Sequence, residues 1–315
     1  MIRVLFLRRQ NHGQMAEFAE SLIAPLSELD VDVVIDEADW IPNETGWSVD
    51  RKVSKRLKES IRGFDLVHAW GMRTAWACSE AFYLRFPWVY TTFDMPKTSN
   101  NQLVDRLNSA RTGICCCSTA RQFLDGAYTS HLKTIYPGLP PYLRFDRETA
   151  REQLGFGSEE FLVLSLSPDH MDDVVHEITN KRADVSFAIF STEDIPGADK
   201  IESREQLPLW IAAADLVIQS KPGLGVDLDC LLAMSSGVPV MVKDVGGLSE
   251  MGVANVSLEI YEDESDLSRH LLELIDAPVH REALGLAGRA KVEDRFNLQE
   301  CAEKYAAVYR SVLNP

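Results

Sequence analysis

The stretch Leu207–Glu250, LPLWIAAADLVIQSKPGLGVDLDCLLAMSSGVPVMVKDVGGLSE, decides the fold. Leu207 to Ala214 suits a helix, Leu216-Val217-Ile218 a short buried strand, and Lys221 to Gly225 a glycine loop. A second helix follows from Leu228, then the strand Val238–Val242 and a glycine turn at Gly246-Gly247. Helix, strand, glycine loop, helix and strand in immediate succession is the order of an open α/β sheet, in which ligands meet the carboxyl ends of the strands.

Working outward, the same alternation fills the chain. Apolar runs suited to buried parallel strands occur at Ile2–Leu7, Val31–Ile35, Asp65–Gly71, Trp88–Thr92, Gly113–Cys117, Phe161–Ser165, Val185–Phe190 and Val256–Leu258. Between them lie helical patterns. Phe18, Ala19, Leu22, Ile23, Leu26 and Leu29 share one helix face, Arg51–Arg62 is basic and amphipathic, and further helices are expected at 74–85, 102–110, from Ser118, and at 146–154. Trp40 to Gly46 reads as a loop. Tyr136-Pro137-Gly138-Leu139-Pro140-Pro141 interrupts the pattern with three prolines and a glycine and marks a domain junction. The chain closes with amphipathic helices at 265–274, 278–294 and 298–312. The expected fold is therefore α/β with two doubly wound, Rossmann-like domains. Residues 1–140 form the first and 141–296 the second, with a C-terminal helical segment, 297–315, that could return to the N-terminal domain.

Composition limits the function. The 315 residues suffice for two domains with cores of their own, and 45% apolar with 25% charged residues suits a soluble globular chain. A net charge of −16 repels a polyphosphate backbone, so nucleic acid is not an expected partner. No run approaches the roughly 20 apolar residues of a membrane span, and Val4–Leu7 is too short for the core of a signal peptide, so a cytoplasmic protein is expected. Cys115, Cys116 and Cys117 are consecutive, which excludes a disulfide framework among them. They read as small apolar residues in a strand, with a catalytic thiol as the alternative.

The order of motifs resembles the GT-B glycosyltransferases, specifically the retaining group-1 (GT4-like) enzymes that use nucleotide-sugar donors. Asp65–Gly71 is similar to that family's D-hxx-H-a-h-g strand end, and Pro87–Asp94 to its P-v-v-y-T-x-H-d strand. Cys117–Leu124 resembles its v-S-e-a-x-r-x-x-L helix, and Ile135–Leu139 its i-P-N-G-v junction. Leu207–Asp215 resembles e-L-p-x-l-y-a-a-A-D, Leu231–Val240 resembles L-E-A-M-A-x-G-x-P-V, and Asp244–Glu250 resembles D-v-G-G-l-x-E. Gly285–Phe296 matches the closing G-x-x-g-r-x-x-v-x-x-x-F helix. The resemblance implies two domains facing across a cleft, the C-terminal one holding a nucleotide-diphosphate sugar and the N-terminal one the acceptor. It implies no cofactor and no metal.

At the family's chemical positions this chain departs. The turn Arg9-Gln10-Asn11-His12-Gly13 has one glycine, Phe93 stands where a histidine is usual, and Ser167–Asp173 is acidic where an arginine and a lysine neutralise the diphosphate. Both glutamates of the E-x7-E motif are missing: Leu232 precedes Ala233-Met234, and Pro222 precedes the glycine loop. No catalytic residue is assigned on this reading. The donor-side candidates are Lys221, Gly223, Gly225, Gly246, Gly247 and Glu250, and the acceptor-side candidates are Arg9, His12, Gly13 and His68.

Each has a plainer alternative. Gly223 and Gly225, with the helix start behind them, can cradle a phosphate or simply turn the chain. Gly246-Gly247 can face a ligand or form a turn, and Glu250 can order it. Asp227-Leu228-Asp229 looks like a metal-binding pair, but acidic residues there would cap the helix. His68 lies at a strand end and can face the crevice or sit in the core. Arg9 and His12 can meet a phosphate or lie in a solvated loop, and Trp70 and Trp76 can stack on a sugar or pack. Two functions follow. One is a divergent, metal-independent glycosyltransferase with a glycan, lipid or small-molecule acceptor. The other is a non-catalytic GT-B-like subunit that binds a ligand or protein partner. A nucleotide-sugar epimerase is a third reading, without recognisable catalytic residues.

Overall fold

The computed structural model describes residues 1–314 apart from 10–12, 42–50, 83–84, 94–106, 126–130, 222 and 224. It divides into two compact units: Met1–Pro140 together with Phe296–Pro315, and Pro141–Arg295. In the first unit the chain runs β1 (Ile2–Arg8), α1 (Gln14–Ser21), α2 (Ile23–Ser27), β2 (Val31–Glu37), α3 (Arg51–Ser60), β3 (Leu66–Trp70) and α4 (Met72–Phe82). It continues through β4 (Trp88–Thr92), β5 (Thr112–Cys115), α5 (Ser118–Asp125) and β6 (Leu132–Thr134). The six strands form a parallel sheet in the order β2-β1-β3-β4-β5-β6. Every residue of β3, β4 and β5 is buried, as expected of strands covered on both faces.

The second unit repeats the plan with α6 (Arg147–Leu154), β7 (Phe161–Ser165), α7 (Met171–Lys181), β8 (Val185–Phe190), β9 (Ala198–Ile201) and α8 (Leu207–Ala213). Then come β10 (Leu216–Gln219), α9 (Leu228–Ser235), β11 (Val240–Lys243), β12 (Glu259–Tyr261), α10 (Glu264–Ile275) and α11 (Pro278–Arg295). Its parallel sheet has the order β12-β11-β10-β7-β8-β9. The closing helix α12 (Leu298–Leu313) belongs to the first unit.

Strands β7 and β8 have the bounds that their apolar runs predict. Elsewhere tertiary contacts move the edges. The strand expected from Val238 begins at Val240, because the Val238 amide is bonded to Ala233 O at the end of α9 and Pro239 has no amide to give. The strand expected at Val256–Leu258 lies instead at Glu259–Tyr261. Val256 is exposed, and a turn joining Asn255 N to Leu258 O precedes the strand. Strands β6 and β9, sheet edges of mixed polarity, carry no apolar run by which a sequence reading could find them. The strand expected through Cys117 ends at Cys115, although Cys116 N still bonds Thr92 O, and all three thiols are buried. Most of the helix expected at 102–110 lies outside the described residues.

Unit 2 is anchored by a buried ion pair. Arg151 Nη1 lies 3.1 Å from Asp215 Oδ2 and 2.9 Å from Ala213 O, while its Nη2 donates to Gly157 O at 2.5 Å and also to Glu160 O. Asp215 further accepts from Arg147 Nη2 at 2.7 Å and from Leu162 N at 2.9 Å. The aspartate of the "A-A-A-D" segment thus joins α6, the end of α8 and the start of β7.

In unit 1, α12 docks by both backbone and side chains. Leu139 N bonds Phe296 O at 2.8 Å, and a Cβ on Gly138 would stand 2.3 Å from Leu298 Cα, so only glycine allows that approach. Asn297 caps the helix through Glu300 N at 3.0 Å. On its buried face Tyr309 Oη lies 2.7 Å from His68 Nδ1, and Tyr305 Oη lies 3.3 Å from Thr91 Oγ1, which itself meets His68 Nε2 at 2.8 Å.

Candidate functional site

In an open parallel sheet a ligand site forms at the carboxyl ends of the strands where the strand order reverses. In unit 2 that point lies between β7 and β10, since the chain moves outward from β7 to β9 on one side and from β10 to β12 on the other. Two bonds join the two strand ends: Leu166 N to Ile218 O at 2.9 Å, and Ser220 Oγ to Asp169 O at 2.8 Å. All six donor-side candidates follow β10 or its neighbour β11. Lys221, Gly223 and Gly225 come after β10, and Gly246, Gly247 and Glu250 after β11.

Lys221 and Gly223 are exposed and Gly225 is buried. Gly223 has φ +81°, and a Cβ there would meet nothing within 4 Å, so backbone conformation, not crowding, calls for glycine. The helix start behind this loop is not open. Asp227, 1% exposed, caps α9, accepting from Asp229 N at 2.8 Å and Cys230 N at 3.0 Å. Of the two readings of this helix end, open to an anion or capped by its own acidic residue, the structure shows the cap, because the chain supplies its own anion. Asp229 is no metal ligand either, since Arg204 grips it with two bonds of 2.6 and 2.8 Å. Among the described residues no group of three His, Cys, Asp or Glu side chains could hold a metal ion. Cys230 is sealed in, and burial, with the Asp227 and Asp229 charges adding to it, pushes its thiol well above the ordinary value.

Gly246 (φ +63°) and Gly247 make the turn after β11, and Asp244 N bonds Tyr261 O at 2.9 Å beside it. Glu250 is half-buried in the following 3-10 turn. Its amide donates to Gly247 O at 3.1 Å and its carbonyl accepts from Arg295 Nη1 at 3.4 Å, so its main chain orders the turn. In the acidic segment after β7, Asp169 and His170 are locally engaged. Ser167 Oγ bonds Asp169, and His170, in a left-handed conformation at φ +64°, pairs through Nδ1 with Glu264.

In unit 1 the corresponding point lies between β1 and β3. Arg9 and Gly13 follow β1, whereas His12 lies outside the described residues. Arg9 Nε is 3.9 Å from Asp39 Oδ1, and Gly13 is exposed with φ +50° at the start of α1. His68 is corrected from acceptor-side candidate to core residue. It is 0% exposed, both ring nitrogens are bonded, and it stacks on Trp70 with centroids 4.2 Å apart. Trp70 is likewise buried against Tyr305, Arg73 lies over Trp76 at 4.9 Å, and Phe93, where the family's histidine would stand, packs on Phe18. Sequence reasoning missed Arg8, a buried cation donating to Ala16 O at 2.6 Å, and Gln219 and Ser220 at the end of β10. The available signal was a polar residue closing an apolar strand.

Burial lowers the His68 pKa well below its ordinary value. The folded state therefore refuses a proton that the unfolded chain accepts, so stability is retained above pH ~6.5 and falls below it by ~1.4 kcal/mol per pH unit. Urea unfolding at pH 7.5 and 5.5 should show that loss in the native protein and a smaller one in His68→Gln. Equal slopes would remove His68 from the effect.

No protein-family model matches the chain. A solved structure of HepE from Anabaena, in complex with UDP-glucose, superposes with a TM-score of 0.80 at 18% identity over 99% of this chain and 100% of that one. WaaG, described as a glycosyltransferase of lipopolysaccharide biosynthesis, superposes with a TM-score of 0.74 at 13% identity over 97% and 99%. The chain thus has the two-domain GT-B fold of glycosyltransferases, as its motif order implied. In sequence it is 33% identical over 109 residues to a GDP-mannose-dependent monoacylated phosphatidylinositol monomannoside mannosyltransferase of Corynebacterium glutamicum, covering 32% of this chain and 29% of that one. It is 32% identical over 117 residues to the lipopolysaccharide core mannosyltransferase LpsB of Rhizobium meliloti, covering 34% and 32%. The matches thus span about a third of the curated relatives' length. Among the described residues no helix is long and apolar enough to cross a membrane.

Proposed function

We propose that the protein is a glycosyltransferase that moves a sugar, mannose first among candidates, from a nucleoside-diphosphate donor to a glycan or lipid-linked acceptor. The observation that carries this is the coincidence of a GT-B fold over the whole chain with a sequence match to two mannosyltransferases. Unit 2 takes the donor at the ends of β7, β10 and β11, and unit 1 takes the acceptor. Lys221 and the amides of Gly223 and Gly225 meet the diphosphate, with the Gly246-Gly247 turn beside them. The leaving phosphate acts as base on the same face, so the residues' task is positioning and charge stabilisation, with no metal or cofactor required.

The test is nucleotide release from GDP-mannose and UDP-glucose, with thermal unfolding measured in parallel at millimolar nucleotide sugar. Donor binding raises the unfolding midpoint. Neither release nor a shift with any donor would sink the proposal, and a shift without turnover on any acceptor would mark a binding subunit instead. Lys221→Ala should weaken the donor on the order of 10-fold, the value of one charge-assisted bond. Unchanged affinity removes Lys221 from the site.

A further inference from the structure

Strand β10 ends at Gln219, and the chain leaves the sheet to form the Lys221 loop before returning at Asp227 to start α9. Both end residues are buried, Gln219 at 3% exposure and Asp227 at 1%. Their side chains meet: Gln219 Nε2 donates to Asp227 Oδ2 at 2.8 Å. The same amide group accepts from Lys221 N through Oε1 at 3.0 Å, while Asp227 Oδ1 takes the two amides of the helix start. A side-chain amide is the group that donates to a carboxylate and accepts from a main-chain N–H at once, and neither a carboxylate nor an apolar side chain does both. On the other side, Ser220, fully buried, bonds Asp169 O and ties the loop to the end of β7.

A buried glutamine against a buried carboxylate is costly unless every bond is made. A serine cap and an apolar strand end would serve the fold alone. The extra polar pair instead directs the main chain at Lys221, the exposed cation at the reversal of strand order. We infer that Gln219 and Asp227 form a clasp that positions the Lys221 loop for the donor's diphosphate, which rests on the donor site proposed above. They are positioning residues, acting through Lys221 and not on the sugar.

The test exchanges donor and acceptor. Gln219→Glu sets two carboxylates face to face, and Asp227→Asn sets two amide NH2 groups face to face. The double variant Gln219→Glu/Asp227→Asn restores one bond with its direction reversed and keeps the net charge of the native chain. Asp227→Ser retains a capping oxygen and loses only the clasp, which separates the two roles.

The singles and Asp227→Ser should raise the donor KM on the order of 10-fold or more, with kcat changed less. They should also speed amide exchange at Lys221 and Gly223. The double should return both readouts to near native values, a rescue that a mere loss of packing would not show. Native KM and exchange in the singles, or no rescue in the double, overturns the clasp. If the native protein neither binds nor turns over a nucleotide sugar, the proposed function falls. Amide exchange across the same variants then decides by itself whether the clasp holds the loop.

Discussion

Asp215→Ala should leave unit 2 unfolded or nearly so, with a loss of about 3 to 5 kcal/mol, the cost of leaving one charge of a buried pair without its partner. Arg151 is the charge left behind. Its guanidinium is buried, and the carbonyls it also meets, Ala213 O, Gly157 O and Glu160 O, solvate it without neutralising it. Asp215 also serves Leu162 N at the start of the central strand β7, so its loss uncouples α6, α8 and β7 together. Asp215→Asn keeps the shape and one acceptor and should cost less. Urea unfolding of the native protein and both variants checks this, and an alanine variant within about 1 kcal/mol of native would show that the carbonyls around Arg151 and solvent suffice to hold its charge.

Gly285→Ala should be the second most damaging change, and a neighbouring glycine provides the control. Gly285 lies in α11, where a Cβ would stand 2.1 Å from Gly237 O, a backbone atom of the left-handed turn (φ +78°) that ends α9. Alanine gains about 1 kcal/mol of helix propensity. Separating helix from turn costs more, about 2 to 4 kcal/mol by the experience of overpacked cores, so the net effect is destabilising. At Gly288, one turn further along the same helix, a Cβ would meet Ser257 O at 3.1 Å and Met234 Cβ at 3.6 Å. There a shift of a few tenths of an ångström suffices, and Gly288→Ala should be close to neutral. Thermal unfolding of the two variants side by side checks the contrast, and similar midpoints would refute it.

Both changes fall at positions that the motif order singles out, and neither residue touches the candidate site. The resemblance marks Asp215 and Gly285 as parts of a recurring pattern, but the pattern does not state that one neutralises a buried arginine and the other admits a turn. Likewise His68 closes a recognisable strand segment, yet its partner Tyr309 lies 241 residues further on. Its role passed from candidate ligand to core residue only when that contact was seen. Conversely Gln219 reads as an ordinary end to an apolar strand, and only its meeting with Asp227 sets it beside the candidate site.

The amino-acid sequence by itself determined the alternation of strands and helices and the two-half plan, because these depend on apolar runs, helical periodicity and the glycines and prolines between them, and the resemblance of its motif order pointed to the GT-B class. The position of the central strands followed from the same signal. Tertiary structure alone decided the edge strands β6 and β9 and the separation of core from site. The stretch Leu207–Glu250 shows both sides of this. Its order of elements and the capping of α9 by Asp227 are local and legible, while the grip of Arg204 on Asp229 and the anchoring of Asp215 by Arg151 are contacts made across the fold. A buried charge or hydrogen bond takes its meaning from the partner that neutralises it, and that partner is fixed by how the chain folds and not by its neighbours in sequence.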